Sequence, residues 1–227
     1  MPLIEVTALT ADVAALLSTR ESASGPPRVV PARGPIAPGR ELLPLEEVLS
    51  SRRSVREFDG RPLPVSDLEF VIRHAAGVLR TWWPAGPRAD LGLEVLAAAF
   101  SVTGLPRGIY AAPRPGERLA ADPGWLPALR DSYARAPVLL AICGDLTWAC
   151  SDSGPGYGGL LTAAGALGYA MWLSALSIGL AASVYGGACQ ELTQLAASRA
   201  SGRRHLFTVA LGHAATGATP DPGGTHG

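Results

Sequence analysis

The chain of 227 residues contains no lysine: all 19 of its Lys/Arg positions are arginine. Without lysine there is no Schiff base, which excludes a lysine-anchored pyridoxal-phosphate enzyme. A P-loop ATPase is excluded as well, because its phosphate cradle needs that side chain. Net charge is missing too, since 19 acidic residues balance the arginines. That removes the electrostatic case for a nucleic acid or an anionic membrane as partner. Cysteine is sparse, with Cys143, Cys150 and Cys189 widely separated and no CxxC pair. With no signal peptide at Met1-Pro2-Leu3-Ile4-Glu5, they read as reduced thiols of a cytoplasmic protein, packed as small hydrophobes, Cys189 being the one that follows a glycine turn. His74, His205, His213 and His226 show no metal-ligand spacing with Cys or acids, so no metal is expected.

Charge is also absent from the whole stretch between Ser153 and Gln190. Such a length of uncharged, apolar chain satisfies the requirement for a membrane span. Glycines break it at both ends, no basic flank marks a cytoplasmic side, and small residues dominate its middle. A core helix at a tight dimer contact explains the same composition. Ala163, Ala164, Gly165 and Gly168 would there allow close backbone approach.

What remains is a chain that is 48% hydrophobic, enough for one sizeable core. Residues 1–40 read as a short helix, Leu9 to Ser18, and a Pro/Gly/Ser/Arg-rich arm from Thr19 to Arg40. Residues 41–215 read as the folded domain. Residues 216–227 form a Gly/Pro/Thr tail expected to be disordered. Inside the domain, Pro44 to Ser51 has helical spacing with proline at its start. Ser66-Asp67-Leu68-Glu69 predicts a capping box opening a helix to about Leu79. Leu93 to Val102, Gly108 to Ala112, the apolar run Val138 to Cys143, and Leu206 to Leu211 predict strands. Asp122 to Ala134 and Gln190 to Ala200 predict helices. Central strands with flanking helices give a three-layer α+β domain.

The segment richest in chemistry is Ser51-Arg52-Arg53-Ser54-Val55-Arg56-Glu57-Phe58. Guanidinium groups bind phosphate or carboxylate bidentately, and a hydroxyl fills a remaining lone pair. The segment reads as a phosphate clamp; the alternatives are a solvated basic surface or a nucleic-acid contact.

Arg-Arg-Ser-Val-Arg-Glu-Phe followed by Pro62-Leu63-Pro64 resembles the FMN-binding opening of the nitroreductase superfamily. Gly104-Leu105-Pro106-Arg107-Gly108-Ile109-Tyr110 resembles the "GLPPGxY" strand of its SagB-type dehydrogenase branch. Gly179-Leu180 through Gly186-Gly187 is similar to the family's glycine turn, and Ala210-Leu211-Gly212-His213 to its closing strand. The resemblance spans about Leu42 to His213. It implies a three-layer fold with a central mixed β-sheet, an obligate homodimer and FMN as cofactor.

By this resemblance Arg52 and Ser54 contact the FMN phosphate, with Arg53 in support. Arg56 reaches the ribityl chain or the pyrimidine end, and amides near Gly186 and Gly187 face the ring. His213 is the basic residue after the closing strand. Trp82, Trp83, Trp148 and Tyr185 are candidates to line the substrate side. Departures from the branch are as plain. Tyr169-Ala170 replaces a usual Gln-Asn pair, and Pro84-Ala85-Gly86-Pro87 lacks a serine. Near the closing strand the only cations are His213 and, upstream, Arg203 and Arg204. A Lys–Tyr acid/base pair is impossible, which leaves Tyr185 or Tyr169 as candidate catalytic residues. The implied activity is a dehydrogenase or oxidase tailoring a peptide or carrier-bound natural product, at an azoline ring or a Cα–Cβ bond. The alternatives are an NAD(P)H-dependent nitroreductase or flavin reductase, and a flavin-free binding subunit.

Overall fold

The computed structural model describes residues 41–82, 92–112, 117–152 and 154–215, with Thr81 and Trp82 described by backbone alone. All of them belong to one compact unit, Ala32–Gly227. The predicted helix Leu9 to Ser18, the arm, the loop Pro84 to Pro87, the tail from Gly217, Trp83 and the Trp82 side chain lie outside the described residues.

In chain order the elements are α1 (Leu45–Ser51), β1 (Leu63–Pro64), α2 (Val65–Trp82), β2 (Leu93–Ala99), β3 (Val102–Thr103), β4 (Gly108–Ala112) and β5 (Arg118–Ala120). Then come α3 (Leu126–Tyr133), β6 (Val138–Asp145), α4 (Leu146–Ala149), α5 (Gly156–Ser177), β7 (Ala181–Tyr185), α6 (Gln190–Arg199) and β8 (Arg203–Gly212). The apolar run in β6 has no polar face to offer water, so it takes a central place. The six-stranded sheet has the order β5-β4-β2-β6-β8-β7.

Alternation along the strands divides the core between the two faces. Val95, Ala97, Leu140 and Val209 face α2 and α5, which contribute Leu68, Val71, Ile72, Leu167 and Met171. Leu96, Ala98, Leu139 and Ala141 face α3 and α6, which contribute Leu126, Leu129, Leu192 and Ala196. The result is helix pair, sheet, helix pair: the three layers the sequence predicts.

Some local expectations change. The sheet expected as mixed is antiparallel at every one of its pairings. The reason is the position of β8. Helix α5 carries the chain from β6 to β7, which run in the same direction, but β8 lies between them and is antiparallel to both. Parallel pairing is confined to the short β1–β3 ribbon. The capping box does not form. Helix α2 begins at Val65, so Ser66 sits inside its first turn and points to Asp67. Glu69 pairs with Arg73 at 3.5 Å instead of reaching back.

Helix α5 is long and apolar enough to cross a membrane by length and composition, yet half of its most apolar stretch is buried in the body. The small residues expected at a dimer contact mostly serve this internal packing. Ala163, Ala164 and Gly168 are buried within the chain, and a Cβ on Gly168 would come 2.3 Å from the Phe207 ring. Gly165 alone of the four is exposed. At the inner surface His74 Nδ1 donates to Ser174 Oγ at 2.9 Å, while Ser174 donates to the Ala170 carbonyl. This polar bridge ties α2 to α5, and burial holds the His74 imidazole below its ordinary range.

Candidate functional site

Helix α1 ends because Arg52 leaves helical geometry, with φ −60° and ψ 116°. Its guanidinium then lies over two rings of α5, 4.8 Å from the Trp172 centroid and 5.8 Å from that of Tyr169. Those rings meet edge to face at 6.4 Å. Stacking of this kind holds the guanidinium plane while leaving its in-plane N–H groups available.

From Arg52 the chain runs to the sheet edge. The Val55 N–H donates to the Ala182 carbonyl of β7 at 3.2 Å. Phe58 then bridges Ala214 in antiparallel fashion. Ala215 N–H donates to the Glu57 carbonyl, and Asp59 N–H to the His213 carbonyl, both at 3.0 Å. Arg52 to Arg56 and His213 are thus brought together beside edge strand β7. Gly212 permits the approach, since a Cβ there would come 2.7 Å from Phe58 and 2.6 Å from Pro137. Past the segment, Gly60 turns the chain at φ +79°. There the Arg61 backbone N–H and side chain hold the Asp59 carboxyl below its usual range. Arg53 and Ser54 are exposed, and among the described residues their side chains have no partner.

Gly186 and Gly187 follow the far end of β7. Both are exposed, and a Cβ on either would meet no atom within 4 Å. The open backbone strip therefore has a cationic, hydroxyl-bearing segment at one end and bare glycines at the other.

The two candidate tyrosines are separated by the sheet. Tyr169 lies on α5 beside Arg52, whereas Tyr185 packs against the core that α3 and α6 cover. They cannot act on one proton together. The Tyr185 hydroxyl is buried and, among the described residues, has no hydrogen-bond partner; the same holds for Ser183 two residues earlier. Trp148 packs its ring on Gly92, with its N–H capped by Asp145 at 2.9 Å. Of the cysteines only Cys143 is buried, and burial pushes its thiol up to about 12. Cys150 is exposed and Cys189 half-buried, contrary to the expectation of three packed hydrophobes.

Sequence reasoning missed the polar group beneath the turn. Tyr133 donates to the Gly187 carbonyl at 2.5 Å across 54 positions of sequence. His205 accepts from the Cys189 N–H at 2.9 Å. Burial lowers the His205 imidazole and raises the Tyr133 phenol and the Cys189 thiol. No local motif announces these contacts. The one available signal is a histidine set inside the apolar closing strand.

No family model and no curated protein matches the chain. Solved structures do. A nitroreductase-like protein of Ralstonia eutropha JMP134 is 25% identical with a TM-score of 0.59, covering 85% of this chain and 97% of that one. A nitroreductase-like protein of Anabaena variabilis ATCC 29413 is 22% identical with a TM-score of 0.59, covering 75% of this chain. The chain spans 38% of that protein's length. A nitroreductase of Bacteroides fragilis NCTC 9343, solved with bound FMN, is 19% identical with a TM-score of 0.52, covering 82% and 98%. The fold is that of nitroreductases.

Proposed function

We propose that the chain is an FMN-dependent oxidoreductase acting as a cytoplasmic homodimer. Its substrate is a peptide or carrier-bound natural product, oxidised at an azoline ring or a Cα–Cβ bond, as in the SagB-type branch its motifs resemble. The observation that carries the reading is the Arg52 to Asp59 segment, which meets edge strand β7 at Val55 and then pairs with His213 to Ala215, with exposed Arg53 and Ser54 near one end of β7 and the open Gly186–Gly187 turn at the other.

The residues present fit the cofactor. Arg53 and Ser54 hold its phosphate, and Arg52 adds in-plane donors from its stacked position. His213 supplies a further donor at the strand end. Arg56 serves the ribityl or pyrimidine portion, where a cation favours negative charge on the reduced ring. The Gly186 and Gly187 amides would serve the ring edge, glycine permitting close approach. When bound, FMN supplies a two-electron acceptor for hydride. Of the two tyrosines, Tyr185 is the better proton carrier near the ring, since its buried hydroxyl has no other engagement among the described residues. Tyr169 borders the phosphate end.

The dimer reading rests on an exposed apolar stripe. Tyr157, Leu161 and Tyr169, spaced by four and eight residues with Gly165 between the last two, line one face of α5 at 56%, 40% and 39% exposure, with Leu45 and Leu49 of α1 also exposed. Such a stripe marks a contact surface in a water-facing protein.

The test is the visible absorption of protein purified after FMN supplementation. Flavin bands retained through gel filtration support the reading; a colourless dimer overturns it in favour of a flavin-free binding subunit. The names of the structural neighbours favour a second reading, an NAD(P)H-dependent nitroreductase or flavin reductase. Rapid bleaching of the bound flavin by NADPH alone selects it over the first.

A further inference from the structure

Three side chains on the α3/α6 face anchor the glycine turn at two points by hydrogen bonds. Tyr133, the last residue of α3, donates to the Gly187 carbonyl at 2.5 Å. The Cys189 N–H donates to His205 Nδ1 at 2.9 Å. Because Nδ1 accepts, the neutral imidazole carries its proton on Nε2, which donates to Thr208 Oγ1 at 3.0 Å. This two-armed circuit holds the turn at Gly187 through Tyr133 and at Cys189 through the His205–Thr208 pair.

The circuit sits on rigid supports. His205 is 3% exposed, and its own N–H donates to Thr193 of α6 at 3.2 Å. The Tyr133 ring meets His205 edge-on at 6.2 Å and Tyr185 at 5.6 Å. Thr208 lies opposite Tyr185 in the β7–β8 ladder. By contrast, Gly187 and Ala188 are exposed, and Gly186 and Gly187 lack side chains to hold them. The turn therefore depends on the circuit for its shape.

We propose that Tyr133, Thr208 and His205 form a latch that fixes the Gly187–Cys189 turn, and that protonation of His205 opens it. A protonated imidazole has a donor on both nitrogens. Its Nδ1–H would face the Cys189 N–H, donor against donor, and that bond is lost. The titratable groups around His205 are Tyr133 on α3, Cys189 and Glu191 at the start of α6, Cys143 on β6 and Tyr185 on β7. Glu191, the carboxylate among them, is engaged by the Cys189 thiol at 3.0 Å. Burial favours the neutral ring and outweighs the Phe207 backbone contact that favours the charged one, so release belongs on the acid side of 6.5. The bearing on flavin rests on the function proposed above: the three act as positioning residues for the amides that face the ring.

The experiment is amide hydrogen exchange at Gly187 to Cys189 in the full chain without flavin, followed against pH, with His205 titrated through its imidazole NMR signals. The Cys189 protection factor should fall about tenfold as His205 protonates, and about fivefold at neutral pH in Tyr133→Phe. His205→Asn offers an amide oxygen near the Nδ1 position and does not titrate, so its protection should stay flat with pH. Protection that ignores His205 protonation in the native chain overturns the latch, as does an unchanged value in Tyr133→Phe. In protein loaded with FMN the visible band should shift over the same pH range and lose that dependence in His205→Asn. An exchange transition in a chain that takes up no FMN upholds the latch and overturns the cofactor reading. Bound FMN with flat exchange overturns the latch alone.

Discussion

Adding one methyl group to helix α5 at two positions separates internal packing from association. In Gly168→Ala the new Cβ would lie 2.3 Å from Phe207 Cε2, 2.7 Å from Cζ and 3.3 Å from Ile142 Cδ1. Helix propensity favours alanine by about 1 kcal/mol. Overpacking of a close-packed interior costs about 1–3 kcal/mol, and here both the helix and β8 resist displacement. The cost wins, with a net loss of up to about 2 kcal/mol, or up to roughly 8 °C in melting temperature for a chain of this size. In Gly165→Ala the Cβ meets nothing within 4 Å. An isolated chain should then gain up to about 1 kcal/mol. If the outer face of α5 packs closely on a second copy, the same methyl weakens the dimer instead. Thermal unfolding over a range of protein concentrations, with sedimentation velocity, reads both effects. A Gly168→Ala protein as stable as the parent would refute the packing argument. Unchanged dimer affinity in Gly165→Ala would show that backbones do not approach closely at that point.

Other consequences can be measured directly. Glu94 accepts from Arg199 at 2.7 Å and from Arg203 at 2.6 Å, tying β2 to α6 and β8; Glu94→Gln should cost about 1–3 kcal/mol in urea unfolding, the arginines being partly solvated. Arg53→Ala and Ser54→Ala should each weaken FMN binding by about 10- to 100-fold in fluorescence titration, with melting of the flavin-free protein unchanged. His205 has a folded pKa below its unfolded value, so the unfolded chain takes up the proton first as pH falls. Stability should therefore be full above about 6.5 and decline below it, by up to about 1.4 kcal/mol per pH unit, until the folded imidazole protonates as well. The decline should be smaller in His205→Asn, the share of the buried His74 remaining.

The sequence was legible where one local physical rule decides. The apolar run of β6 must be buried on both faces, and the first half of the uncharged stretch after Ser153 is the core helix expected there, while strand β7 in its second half was not foreseen. The buried run and the core helix both follow from composition alone. The arginine-rich segment stood out in the sequence, and the structure places it beside His213; its role as a clamp is part of the proposal. Strand direction was not legible, because the insertion of β8 between β6 and β7 depends on global topology. The capping box failed because its residues fit a second arrangement, with Glu69 paired one turn onward to Arg73. The circuit under the turn was hidden for a different reason. Tyr133, His205 and Thr208 come from distant parts of the chain, and each is an ordinary residue until the sheet brings them together. The internal role of Ala163, Ala164 and Gly168 was likewise invisible, because small residues signal close approach without naming the neighbour.

Edge strand β7 has one further consequence. An open sheet edge exposes unpaired N–H and C=O groups and invites another chain to add as a strand. Here the Val55 contact to Ala182 covers part of that edge, while Val184 farther along stays exposed. The segment that would grip a phosphate is therefore also a guard against strand addition. A substitution that loosens it, such as Gly212→Ala pushing on Phe58, would uncover a template for aggregation along with weakening any grip. If the segment grips a phosphate as proposed, solubility and ligand affinity would be coupled through the same eight residues, Arg52 to Asp59.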